Sequence, residues 1–151
     1  MNKITASRTK QIVFVLFALA WTFCIWKHSM CTANISSAQS GRVEQLLTPI
    51  LDFFCVSESI RQFVIRKAAH FTEFAVLGLL WAGAFQKRVF LYPFSISVLT
   101  AVVDEGIQLF VPGRSGQLKD VLLDSSGAAA ALVFLWVIRF FLERKVRKKN
   151  A

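Results

Sequence analysis

Charge is scarce in this sequence. Of 151 residues only 18% are Asp, Glu, Lys or Arg, against about 25% in an ordinary globular domain. That shortage excludes a conventional water-exposed surface, and the 55% share of apolar residues excludes intrinsic disorder, which requires low hydrophobicity. Cysteine is also sparse. Cys24, Cys31 and Cys55 form no CxxC and no Cys/His spacing of a zinc motif, and only Cys31 and Cys55 are candidates for a disulfide, if they face an oxidising compartment. HExxH and phosphate-binding loops are absent. Neither Ser125 nor Ser126 has an evident base beside it, so no activated nucleophile is legible. There is no internal repeat, and the lone histidine and carboxylates of the polar set described below lack metal-ligand spacing along the chain. No cofactor and no metal are expected on these grounds.

What remains is hydrophobic and basic. Mean hydropathy is +0.52 and the pI about 10.0, with 15 phenylalanines and 18 basic against 9 acidic residues. The basic residues cluster at the ends of apolar runs instead of forming a stripe, which points away from nucleic acid and toward membrane topology. Four runs are long enough to read as spans, at about 12–31, 68–85, 89–110 and 121–141. The first has a basic start like a signal peptide, but Cys31-Thr32-Ala33 is a poor cleavage site and three runs follow, so an uncleaved helix is expected. Pro93 falls in the first turn of the third run, where its missing donor costs little. Pro112-Gly113 forces a turn after it, and Gly127 with Ala128–Ala131 reads as a close-packing face.

One long connection, about 32–66, joins the first two runs. Its serine-rich start (34–41) reads as a polar connection. In its second part Val43, Leu46, Leu47, Ile50, Leu51 and Phe54 recur at helical spacing, predicting an amphipathic helix over about 42–60 that breaks or kinks near Pro49 and lies along the interface or packs across the bundle. For orientation, Lys3, Arg8, Lys10, Lys87, Arg88 and the tail Arg144, Lys145, Arg147, Lys148 and Lys149 place ten basic residues in short segments on one side. Seven are spread over longer segments on the other. Dense short basic segments stay inside, so both termini are expected on the cytoplasmic side.

With spans alternating in direction, the polar residues converge on the outer side. Arg66, His70 and Glu73 share one stripe at the start of the second run; Asp104 and Gln108 share another near the end of the third, and Asp120 and Asp124 a third at the start of the fourth. Asp104 lies about 9 Å inside Phe110 at 1.5 Å per residue, at or just below headgroup depth, where charge is costly unless paired or facing a wet cavity. Glu105, adjacent to Asp104, must point toward another neighbour. Asp120 reads as a helix N-cap. Carboxylates with one histidine suit cation binding or acid/base steps, and Arg66, Lys67 and Arg114 suit a phosphate or carboxylate. The residue chemistry thus describes an outward-facing polar pocket.

The linked pattern Arg66-Lys67-x-x-His70-Phe71-x-Glu73-Phe74-x-x-Leu77-Gly78-x-Leu80, then Asp104-Glu105-x-x-Gln108-x-Phe110-Val111-Pro112-Gly113-Arg114, then Asp120-x-x-x-Asp124-x-x-Gly127, resembles the VanZ-like family. The upstream Ile35-Ser36-Ser37-Ala38-Gln39-Ser40 resembles that family's serine-rich segment. The likeness covers about residues 34–135 in order. Phe74 stands where a tyrosine is frequent, which removes one donor, and Asp124 and Ser126 stand where asparagine or another small polar residue is common.

The reading is therefore an all-α integral membrane protein in one domain, with four transmembrane helices plus an amphipathic interfacial or re-entrant helix. The resemblance implies a multi-pass protein of the bacterial cell membrane that affects sensitivity to glycopeptide, teicoplanin-type antibiotics. Its expected partner is a membrane lipid or lipid-linked cell-wall precursor, held by Arg66, Lys67, His70, Glu73, Asp104, Glu105, Gln108, Arg114, Asp120 and Asp124. Two rivals stand beside this. One is an intramembrane enzyme acting on lipid headgroups, with His70 and Glu73 or Asp104 as acid and base; the other is an accessory subunit of another membrane protein.

Overall fold

Each apolar run of the sequence lies in a helix of the computed structural model, which describes residues 3–86 and 89–149, with side chains over 8–86 and 89–147. Lys87 and Arg88, expected to close the second run, lie outside the described residues. Five helices follow one another: α1 Lys3–Ser29, α2 Ala33–Phe53, α3 Glu58–Ala84, α4 Leu91–Gln108 and α5 Leu118–Lys149, with no strand among the described residues. α3 is the hub. It packs on each of the other four helices, whereas the backbone of α2 packs mainly against α3, α1 reaches α3 and α4, and α5 reaches α3 and α4.

Local chemistry accounts for the helix ends. Lys27 and His28 sit in the last turn of α1, where positive charge complements the helix dipole. The next helix departs from expectation at both ends. Its serine-rich start is helical from Ala33 onward instead of forming a connection, and the chain runs through Pro49 to Phe53 without stopping. It ends there because Val56 N–H reaches Leu51 O and Cys55 N–H reaches Asp52 O, both at 2.9 Å, with Cys55 at φ +53°. This is a Schellman closure whose left-handed position carries cysteine where glycine is usual. Arg61 braces the corner: its Nε donates to Val56 O at 3.0 Å, and its guanidinium pairs with Asp52. α3 then starts at Glu58, ten residues before the apolar run. The expected helix over 42–60 is thus two helices meeting at a corner. All three cysteines are free.

The apolar core joins Ala18 and Ile25 of α1, Phe74, Leu77 and Trp81 of α3, Ala101 of α4 and Val121 of α5. α3 and α5 approach each other closely. A Cβ on Gly78 would lie 3.3 Å from the Ala128 backbone, and one on Gly127 would collide with the Phe71 carbonyl oxygen. Gly127 is therefore required at this seam, as small residues are wherever two helix backbones meet closely. Outside the core the usual ordering is reversed. Asp104 and Asp124 are fully buried, whereas Phe17, Phe134 and Phe141 are each more than 60% exposed. α2 repeats the reversal on its own scale, with Ser36 and Ser40 turned inward and Leu46, Ile50 and Phe53 outward.

α1 over Arg8–Ser29 and α5 over Leu118–Arg147 are long and apolar enough to cross a membrane. α3 and α4 do not meet that measure. The polar residues set into their apolar stretches, His70, Thr72 and Glu73 in one and Asp104, Glu105 and Gln108 in the other, dilute them.

Candidate functional site

The turn after α4 fixes one end of the molecule. Gly113 takes φ +77°, as Pro112-Gly113 required, and Ala33 N–H reaches Pro112 O at 3.5 Å. The α1–α2 corner, the C-terminus of α4 and the N-terminus of α5 therefore meet at one end. The N-terminal half of α3 passes beside them.

Here the polar residues divide into three groups. The first lines a cavity of about 250 Å³ whose wall includes Arg66, Lys67, His70, Gln108, Arg114 and Asp120. Lys67 and Asp120 are paired across α3 and α5. Asp120 is the third residue of α5, not its N-cap; the helix begins at Leu118, and the carboxylate is held by lysine, not by backbone N–H groups. With Arg66 and Arg114 on its wall, the cavity presents two guanidinium groups that make no ion pair among the described residues.

The second group lies behind the cavity. His70, Asp104 and Asp124, one each from α3, α4 and α5, bring one ligand-capable atom apiece within 4.8 Å of one another. His70 Nδ1 stands 3.6 Å from Asp124 Oδ1, beyond hydrogen-bond range. His70 Nδ1, Asp104 Oδ1 and both Asp124 oxygens are buried without a hydrogen-bond partner. Gln108 Nε2 donates to Asp104 Oδ2 at 3.2 Å and to Glu105 Oε1 at 3.0 Å. Carboxylates that are scattered along the chain are thus gathered by the fold. Spacing along the chain says nothing about residues that three different helices bring to one point.

The third group turns away. Glu105 accepts the Gln117 backbone N–H at 2.8 Å, so it ties the turn after α4 to the helix, and Gly116 packs against its carbonyl with no room for a Cβ. That is the separate neighbour its position demanded. Glu73 leaves the stripe it shares with His70 and binds His28 Nδ1 at 3.1 Å, while His28 Nε2 contacts the Gln39 side-chain oxygen at 3.2 Å. Glu73 thus faces a second, mostly apolar groove of about 710 Å³ between α1, α2 and α3, lined among others by Trp21, His28, Val43, Leu47 and Val76. Trp21 Nε1 donates to the Glu73 carbonyl oxygen at 2.9 Å, fixing this wall. Glu73 is thus paired with His28, while both Glu73 and His70 line the groove.

Cavity and groove share Ser36, Arg66 and His70 as a common wall. His28 and Ser29 were not named from the sequence, and Ser36 and Gln39 were named only within the serine-rich segment, not as site residues. A signal for His28 and Ser29 existed. The alternation that gathers residues 66–124 at one end also delivers the end of the first run there, and Ser29 Oγ does lie 3.5 Å from Gln108 Nε2.

An all-helical bundle with apolar residues outside and carboxylates within is the build of a membrane protein carrying a buried polar site. The family is now identifiable. The VanZ/LLP1 family model matches residues 14–139, and the chain belongs to that family. No curated protein and no solved structure matches it. Family membership and the two apolar helices together make this a membrane protein.

Proposed function

We propose that this chain is a four-span protein of the bacterial cell membrane that holds an anionic lipid headgroup, or the phosphate of a lipid-linked wall precursor, in the Arg66–Arg114 cavity. In this reading α3 and α4 span together with α1 and α5, their polar residues facing inward. Both termini are cytoplasmic and the cavity opens to the outer leaflet. The observation that carries it is the shared wall: Arg66 and His70 line the polar cavity and the apolar groove at once. That arrangement suits a molecule with an anionic head and a hydrocarbon tail. Two arginines that form no ion pair among the described residues supply charge-assisted, planar donors for a phosphate, and a groove lined by Val43, Leu47 and Val76 offers apolar surface to an acyl chain. Altered sensitivity to teicoplanin-type antibiotics would follow from sequestering or presenting such a lipid at the cell surface. Lys67 contributes less to anion binding than its type suggests, because Asp120 already holds it.

The test is lipid retention. The full chain, purified in detergent and exchanged into a mixture of anionic and zwitterionic phospholipid, is expected to retain the anionic species. Arg66→Ala and Arg114→Ala should each weaken retention about tenfold, as hydrogen bonds to charged groups contribute about 1.5–3 kcal/mol. Equal retention by wild type and the double variant would exclude this reading.

A further inference from the structure

We infer that His70, Asp104 and Asp124 form a binding site for one divalent transition-metal ion, of the Zn²⁺ or Mn²⁺ kind, at the base of the polar cavity. This goes beyond lipid binding and rests on the side chains of α3, α4 and α5, whether or not a lipid is present. Four observations converge. The three ligand atoms lie within 4.8 Å of one another, and Asp104 and Asp124 are fully buried. His70 Nδ1, Asp104 Oδ1 and both Asp124 oxygens have no hydrogen-bond partner. The 3.6 Å between His70 Nδ1 and Asp124 Oδ1 is too long for a hydrogen bond, yet close to the separation of about 3.4 Å between two ligands sharing one tetrahedral ion with bonds of about 2.0–2.1 Å.

Charge balance points the same way. Two buried carboxylates require compensation. The nearby lysine is committed to Asp120, and Arg61 is committed to Asp52 at the far corner. Arg66 and Arg114 line the cavity but form no ion pair with either carboxylate, which leaves His70 as the basic side chain set beside Asp124 among the described residues. One divalent ion neutralises both carboxylates and uses the lone pair of a neutral imidazole. Gln108, donating to Asp104 Oδ2, occupies the position of an outer partner that orients a ligating carboxylate. A nitrogen donor with two carboxylates favours Zn²⁺ or Mn²⁺ over Ca²⁺, which takes six to eight oxygens. His70 and Gln108 both reach the cavity wall, so the remaining coordination positions face a space where water or an anionic oxygen fits.

The experiment titrates chelator-stripped, detergent-purified full chain with Mn²⁺, reading free ion by electron paramagnetic resonance. One Mn²⁺ per chain is expected, displaced by equimolar Zn²⁺ but not by equimolar Ca²⁺. Asp104→Asn and Asp124→Asn should each weaken binding at least about tenfold while remaining monodisperse and helical. Asp52→Asn, at the distant corner, should bind as wild type does. Where a buried variant loses its fold, wild type alone decides the matter: bound Mn²⁺ should show nitrogen-14 coupling from one directly ligated imidazole. No uptake by wild type, no nitrogen coupling, or a folded double variant that titrates like wild type would each overturn the site.

Discussion

Replacing a glycine in a helix by alanine is expected to have opposite effects at two places in this chain. In a helix interior alanine is favoured over glycine by about 1 kcal/mol. Gly106 in α4 has nothing within 4 Å of where a Cβ would lie, so Gly106→Ala should collect that gain. At Gly127 the same Cβ would collide with the Phe71 carbonyl oxygen and lie 3.0 Å from its carbon and 3.1 Å from its Cα. These are backbone atoms that no rotamer change can withdraw. Restoring ordinary contact at about 3.5 Å with the carbonyl oxygen, the nearest of these atoms, requires α3 and α5 to part by about 1 Å. Overpacking of this kind costs about 1–3 kcal/mol, and contact with backbone puts Gly127→Ala in the upper half of that range. After the propensity gain the net loss is about 1–2 kcal/mol. At about 2–4 °C per kcal/mol for a chain near 150 residues, Tm in detergent should fall by roughly 2–8 °C, while Gly106→Ala raises it by about 2–4 °C. Differential scanning fluorimetry on both variants reads the pair. Because Phe71 follows His70 and Gly127 follows Asp124 by three residues, the same parting should weaken Mn²⁺ binding. A Gly127→Ala protein that melts above wild type, as Gly106→Ala does, would refute the seam.

Three further outcomes can be checked the same way. Cys55→Gly should raise Tm by the equivalent of about 1 kcal/mol, because a left-handed residue with a Cβ costs roughly 1–2 kcal/mol and Cys55 holds φ +53°; Cys55→Val should lower it. Glu105→Ala leaves the Gln117 N–H without its acceptor, a loss of about 1–3 kcal/mol where such a group stays dry, and amide exchange over residues 111–118 should accelerate while the rest of α4 stays protected. Asp120→Asn, which breaks a half-buried pair with Lys67, should destabilise more than Asp52→Asn, whose carboxylate is 57% exposed. Exposed pairs contribute only about 0–1 kcal/mol, and urea or thermal melts of the two variants give the order.

Helix content was legible because apolar runs of this length admit little else, and the same-end clustering of residues 66–124 was legible from alternation alone. The α2–α3 corner was not. Its stop signal is a left-handed residue, and sequence reading looks for glycine there; this chain uses cysteine, then hides the break inside continuous helical periodicity. The division of the polar set was equally hidden. Whether Glu73 faces His70 or His28, and whether Glu105 faces the cavity or the Gln117 amide, depends on a few tens of degrees of helix rotation that Gly78 and Gly127 set by close contact. Neither glycine announces that angle. The meeting of His70, Asp104 and Asp124 required three helix rotations at once, so a one-dimensional spacing rule was bound to pass over it.

The polar residues that keep α3 and α4 below the apolarity of α1 and α5 bear on how the chain is made. On the four-span reading, a helix carrying charged side chains partitions reluctantly into hydrocarbon, where a charge costs about 2.5–3.5 kcal/mol even by the mildest scales. α3 and α4 emerge from the ribosome before α5, the helix that supplies Lys67's partner Asp120 and the Gly127 face that packs on Phe71. Their insertion is therefore incomplete in energetic terms until the last helix docks, which makes the final segment a chaperone for the middle of its own chain. Truncating the chain before Leu118 should leave α1 inserted and α3–α4 exposed to quality-control proteolysis.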